Sequence, residues 1–252
     1  MTISQDLTDT ELMRYSRQIL LDGWDIDAQI RLKNSTIAII GMGGLGAMVA
    51  PVLVRAGVGT VHLFDFDSVE PSNLQRQILY TSKHISKPKV ECAKQVLDTY
   101  NELIEIHAHC IRLDESNALD SLQKLQLDLL IDCSDNFSVR SLLNQVSQNL
   151  KIPLLSLSAT AEVGQAALFE PDKTGCYSCL FGVPNATQQN CATSGVLAST
   201  VALIGAYGAD IALHFLGQGK NTIENQLVIW NGIRASLQKL NFSKKSTCSS
   251  CN

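Results

Sequence analysis

Two Cys-x-x-C pairs stand far apart in this 252-residue chain: Cys176 and Cys179 in GCYSCL, and Cys248 and Cys251 in CSSCN, 69 positions further on. Four thiolates so paired make a tetrahedral zinc site of the structural kind, because sulfur suits Zn²⁺ and no coordination position stays open for substrate. Two redox dithiols are the alternative reading of the same spacing. The separation exceeds that of a compact zinc finger, so the metal would pin the CSSCN segment back beside the stretch that leads to Cys191. Cys191 itself lies in the polar run NATQQNCATSG, where it is either an exposed reactive thiol or a loop cysteine without a role in turnover. Cys92, Cys110 and Cys133 fall within apolar helix or strand patterns and are expected in the core.

A second set of residues is suited to holding a nucleotide. IIGMGGLG supplies Gly41, Gly43 and Gly46 in GxGxxG spacing, directly after an apolar β-branched run and before a helical pattern. The first glycine permits the tight turn, the second lets the backbone approach a phosphate, and the third lets helix and sheet pack closely. Asp65, 19 residues past Gly46 at the end of the next apolar run, stands where a carboxylate accepts hydrogen bonds from ribose hydroxyls. NAD, FAD and ATP all satisfy this much. The following polar segment carries Asn73, Gln75 and Arg76 and then Lys87 and Lys89, cations able to surround a triphosphate. Asp132 and Asp135 in LLIDCSDN end another strand, and a carboxylate facing a cationic phosphate pocket points to Mg²⁺. The plainer alternatives are that Asp135 caps the helix beginning at Phe137 and that Arg76 and the lysines form a solvated face. His107 and His109 alternate along one strand and share a face; a metal site needs more ligands, so they are expected to be structural.

These groups require a scaffold of alternating strands and helices. Thr8 and Glu11 form a capping-box pattern, and the helix that follows has Leu12, Tyr15 and Ile19 at helical spacing, with Arg14 and Arg17 on one side. Strand, glycine turn and helix then repeat through LDLLIDCSD and KIPLLSLSA. Near-continuous apolar strands separated by helices imply a Rossmann-like, mostly parallel sheet with helices on both faces. From about residue 161, EVGQAALFEP and QLVIWNGIRASLQKLNF look like antiparallel strands flanking an Ala-rich helix. The expected organisation is a single α/β domain over 1–252: a nucleotide-binding part, 1–160, and a C-terminal part with the zinc site, 161–252.

Net charge of −4 leaves no basic footprint for nucleic acid. The N-terminal stretch is polar and acidic rather than a secretory signal, so a reducing, cytoplasmic setting is expected. The apolar run from Val196 to Leu216 approaches the length of a membrane span, but its small residues with Asp210 and His214 favour a buried helix.

RYSRQILL, GMGGLG, LFDFDSVEPSNLQRQ, KPK, DCSDN, GCYSCL and NCATSGV occur in the order and spacing of the HesA/MoeB/ThiF family, bacterial relatives of ubiquitin-activating enzymes. The resemblance runs from about Leu12 to Cys251. It implies Mg-ATP-dependent adenylation of the C-terminal glycine of a small ubiquitin-like sulfur-carrier protein ending in Gly-Gly. On the family pattern Arg76 and Lys89 contact the phosphates, Asn73 helps orient them, Asp135 holds Mg²⁺, Asp65 binds the ribose and Gly44 lies against the nucleotide. Ser72, Leu74, Gln75 and Asn136 complete the nucleotide-binding set. Arg17 matches an arginine that reaches the ATP of the neighbouring subunit, which implies a homodimer. Cys191 matches a region where a cysteine can bond covalently to the carrier or its sulfur. The MoaD-type carrier of molybdopterin synthesis is expected, with the ThiS-type carrier of thiamine synthesis as the alternative. The sulfur donor is expected to be a separate cysteine desulfurase or rhodanese. From another class, a dinucleotide-dependent oxidoreductase shares the glycine loop and Asp65.

Overall fold

The run TIAII forms β1 (Thr36–Ile40), buried at every position. Parallel neighbours on both sides, β2 (Thr60–Phe64) and β4 (Leu129–Asp132), explain why it does not alternate with polar residues. β3 (Glu105–His109) pairs outside β2, and β5 (Leu154–Thr160) outside β4, all parallel. At β6 (Val163–Phe169) the direction reverses, and β7 (Gln226–Asn231) and β8 (Ser236–Asn241) continue antiparallel. The result is one eight-stranded sheet in the order β3-β2-β1-β4-β5-β6-β7-β8. The C-terminal strands therefore extend the nucleotide-type sheet instead of forming a separate one. This computed structural model describes residues 6–182 and 195–251.

Alternating side chains of the strands feed two cores. Ile37 and Ile39 face one core with α2 (Asp25–Asn34), α3 (Gly46–Ala56), α4 (Lys89–Asp98) and α8 (Ala198–Gln218). Ala38 and Ile40 face the other with α5 (Ala118–Gln123), α6 (Phe137–Leu150) and α7 (Tyr177–Phe181). Helices thus cover both faces, as the apolar strands require. The first helix, α1 (Asp9–Ile19), starts with the expected capping box between Thr8 and Glu11.

Among the described residues α8 alone is long and apolar enough to cross a membrane. It instead packs against α2, α3, β5 and β6. Glycines make this close: a Cβ at Gly164 would stand 2.0 Å from Ile204 of α8, and one at Gly208 only 2.4 Å from Leu157. One expectation about the core fails. Cys92 and Cys133 are buried, but Cys110 is exposed, because β3 ends at His109 on the margin of the sheet and the chain turns outward there.

Candidate active site and cysteine cluster

Strand order reverses between β1 and β4: from β1 the sheet grows through β2 to β3, and from β4 through β5 onward. The segments leaving their carboxyl ends diverge, and such a switch point opens a crevice in α/β sheets. Here it is a cavity of about 1190 Å³.

The glycine loop forms its floor. Gly41 has φ +95°, and a Cβ there would lie 2.9 Å from the Cys133 carbonyl oxygen, so only glycine serves this turn. Gly46 packs α3 onto the loop, its Cβ position being 2.1 Å from the Gly41 oxygen, and it does not line the cavity. Gly41, Gly43 and Gly44 do. The buried Tyr80 hydroxyl donates to the Met42 carbonyl at 2.8 Å and steadies the loop.

Asp65 lies at the end of β2 and lines the cavity. Its Oδ2 accepts the Met42 N–H at 2.7 Å and its Oδ1 the Asp67 N–H at 2.8 Å, tying the strand end to the glycine loop. Burial pushes its carboxyl above the ordinary value, against the opposing pull of Lys89 and these N–H groups. Lys89 opens α4 with a buried side chain, its Nζ 3.0 Å from Asp67 Oδ2.

Asn73, Arg76, Asp135 and Asn136 also line the cavity. The buried Asn73 accepts the Glu70 N–H at 3.2 Å, and Arg76 donates to the Ser72 carbonyl at 3.0 Å. Asn136, not Asp135, caps α6 by accepting the Val139 N–H at 2.9 Å. The capping alternative for Asp135 is thereby removed, and its exposed carboxylate is left at the cavity. Asp132 is wholly buried, accepting from the Ser134 N–H, the Ser134 hydroxyl and the Ser156 hydroxyl. It organises the loop rather than facing the cavity.

The structure does not bring every expected residue to the cavity. Ser72 and Gln75 are exposed outside it, and Leu74 packs against the core. Lys87 is exposed and lines no part of it. Arg17 is exposed on α1, away from this chain's own cavity. Cys191 lies outside the described residues.

Three residues here escaped the sequence reading. Besides Tyr80, they are Gln77, whose buried Oε1 has no hydrogen-bond partner among the described residues, and Arg140, which donates to the Ser134 carbonyl at 2.7 Å. A cation in the opening turns of α6 opposes the helix dipole, a signal that its charge serves something else.

Cys176, Cys179, Cys248 and Cys251 come together beside α7. Their sulfurs stand 3.9 Å (176 to 179), 3.7 Å (176 to 248) and 3.5 Å (179 to 251) apart. Zn–S bonds of about 2.3 Å at tetrahedral angles place neighbouring sulfurs about 3.8 Å apart, so the cluster is compatible with zinc. The Lys245 N–H donates to the Cys179 sulfur at 3.3 Å and Asn144 to the Cys176 sulfur at 3.8 Å, outer contacts that orient ligands.

The ThiF family model matches residues 15–251. Molybdopterin-synthase adenylyltransferase of Escherichia coli (strain K12) is 34% identical, over 98% of this chain and 98% of its own length. Sulfur carrier protein ThiS adenylyltransferase of the same strain is 37% identical, over 97% of both. Adenylyltransferase and sulfurtransferase MOCS3 of Aedes aegypti is 35% identical over 98% of this chain, which spans about half (56%) of that relative's length. In fold, the chain is similar to E. coli MccB solved with ATP, with a TM-score of 0.83 at 24% identity over 95% of this chain and 73% of that one. Two relatives matched end to end and a family model covering nearly every residue agree with the switch-point cavity, and the chain belongs to the ThiF family.

Proposed function

We propose that the chain is an ATP-dependent adenylyltransferase that activates the C-terminal glycine carboxylate of a small ubiquitin-like sulfur carrier ending in Gly-Gly. The observation that carries this reading is the cavity itself. It joins a glycine loop, the cations Arg76 and Lys89, and the uncapped Asp135 carboxylate at one sheet edge. A MoaD-type carrier is the first choice, on the molybdopterin-synthase relative. A ThiS-type carrier is the second reading, favoured by the 37% identity to the ThiS adenylyltransferase.

In the proposed reaction a carrier carboxylate oxygen bonds to the α-phosphorus of ATP as the bond to the β-phosphate oxygen breaks and pyrophosphate leaves. The product is an acyl-adenylate with a good leaving group for sulfur. Negative charge spreads over the phosphoryl oxygens, so fixed donors and cations supply most of the stabilisation. Loop N–H groups and Gly44 hold the phosphate chain close to the backbone, Arg76 and Lys89 offset its charge, and Asp65 binds the ribose. Asp135 and the neighbouring oxygens suit Mg²⁺, which when bound supplies charge neutralisation. Zn²⁺ in the cysteine cluster is structural.

The same proposal covers the assembly. The exposure of Arg17 away from its own cavity supports a homodimer in which it serves the partner's nucleotide. Residues 1–252 act as one adenylation unit in the cytoplasm. Sulfur arrives from a separate donor, and Cys191 is the candidate for a covalent link to the carrier.

The test is to incubate protein and Mg-ATP with a panel of purified carriers, following intact mass and pyrophosphate exchange. One carrier should gain AMP and support exchange, and Arg76→Ala should lose both. Exchange with no carrier dependence would overturn the proposal. Tight NAD or flavin binding without any response to ATP would favour the oxidoreductase.

A further inference from the structure

Gln77 follows Arg76 in the segment that straps the glycine loop, and it is only 3% exposed although it lines the cavity. The strap is fixed at both backbone groups of the residue. The Gln77 N–H donates to the Asn73 carbonyl at 3.0 Å, its carbonyl accepts the Tyr80 N–H at 3.1 Å, and the Tyr80 hydroxyl reaches back to the Met42 carbonyl. The side chain lies along Gly43, where a Cβ would stand 3.7 Å from its Nε2. Its Oε1 is buried with no hydrogen-bond partner among the described residues. A buried acceptor left unmet is costly, so a group that enters the cavity is expected to meet it.

The wall around Gln77 suits anions. Loop N–H groups, Arg76 and Lys89 all donate, and phosphate oxygens only accept. Turning the amide over changes nothing, since one end of it always accepts. A triphosphate therefore leaves that end unmet. The nucleotide's own donors are its ribose hydroxyls and base amino group, and the ribose belongs at Asp65 on the end of β2. The terminal glycine of a peptide does meet it. Its N–H and a carboxylate oxygen sit side by side on one short residue, as do the acceptor and the donor of a single amide.

We propose that Gln77 holds the carrier's terminal glycine, accepting its peptide N–H at Oε1 and donating through Nε2 to one carboxylate oxygen, which leaves the other oxygen to attack the α-phosphorus. Given the adenylyltransferase reading above, on which this rests, the site selects a last residue with a free peptide N–H and rejects an N-substituted one such as proline. Fixing the carboxylate beside the glycine loop favours rate as well as affinity, because in-line attack tolerates only one geometry.

The test uses the panel carrier that gains AMP, made in two forms: the natural chain, and one whose last peptide N–H is replaced by an ester oxygen. Pyrophosphate exchange gives kcat/KM for each carrier with the full wild-type chain and with Gln77→Met, a side chain of similar length that neither donates nor accepts strongly. Each change alone should lower kcat/KM about tenfold, and the two together little more than either, with KM for ATP unchanged. If Gln77→Met fails to fold, the two carriers with the wild-type protein carry the test, and equal kcat/KM for them overturns the role. Additive losses, or a raised KM for ATP with an undiminished ester effect, overturn it as well while leaving the adenylyltransferase intact. Exchange with no carrier dependence defeats the adenylyltransferase reading itself, and this role with it.

Discussion

Arg140 donates through Nη2 to the Ser134 carbonyl at 2.7 Å, from the opening turns of the helix that follows the loop carrying Asp135. Its Nε also stands 4.0 Å from Asp132 Oδ2. A buried cation and a buried carboxylate thus hold the bend from which Asp135 projects. Removing one charge from such a pair is costly because the other stays behind. Arg140→Met is expected to lose about 3 kcal/mol in urea unfolding and to lower pyrophosphate exchange.

Asp135 and Asn136 are neighbours with separable duties. Asn136→Ala removes the α6 cap and should cost about 1 kcal/mol. Asp135→Asn alters an exposed side chain and should leave stability within about 0.5 kcal/mol while abolishing Mg-dependent exchange. Paired unfolding and exchange measurements separate the two, and an unimpaired Asp135→Asn enzyme would remove the metal role.

The glycines divide in the same manner. A methyl group at Gly46 meets backbone at 2.1 Å, so Gly46→Ala should destabilise by about 3 kcal/mol. At Gly43 the nearest atom is the Gln77 side chain at 3.7 Å, so Gly43→Ala should fold normally. Its methyl stands toward the cavity, and the expected loss is in ATP affinity, measured by equilibrium binding.

Zinc removal should act locally. Chelation is expected to raise amide exchange in α7 and residues 243–251 well before the parallel strands, read by mass spectrometry. Equal protection with and without metal would count against a zinc clamp.

Acid should weaken the N-terminal helix. Burial works against the Glu11 charge, but its bonds with Thr8 and Lys33 prevail and hold the carboxyl below its usual value. The resulting stability is present above the unfolded-state carboxylate value and is lost as pH falls through the folded-state value. Glu11→Gln should therefore lower Tm at neutral pH, with the gap closing below about pH 4.

Features that depend on a few adjacent residues were legible in the sequence: the glycine loop, Asp65 ending a strand, the capping box at Thr8, and each Cys-x-x-C motif, whose shared spacing also marked the two as one ligand set. What depended on tertiary approach was not. Tyr80 acts on Met42, 38 residues away, Arg140 reaches back across a loop to Ser134 and Asp132, and Gln77 is marked only by burial, none of which local spacing shows. Asp135 fits the sequence pattern of an α6 cap, but one residue of offset decides and Asn136 takes that place. Cys110 looked internal because its neighbours are apolar, yet the strand had already ended. The antiparallel strands were visible as such, but that β6 would pair onto β5 was not, because register is set by contacts between elements.

The reversal of direction after β5 also orders the folding of the sheet. Thr160 pairs with Val163 and Asn231 with Ser236, so β5–β6 and β7–β8 are local hairpins. Ile37 must find Leu129, 92 residues away, before the switch point exists. Local contacts form fastest, and long closures carry their entropy cost first. The nucleotide edge is accordingly expected to form late, after the hairpins, with the cavity taking shape as the distant β1–β4 seam closes.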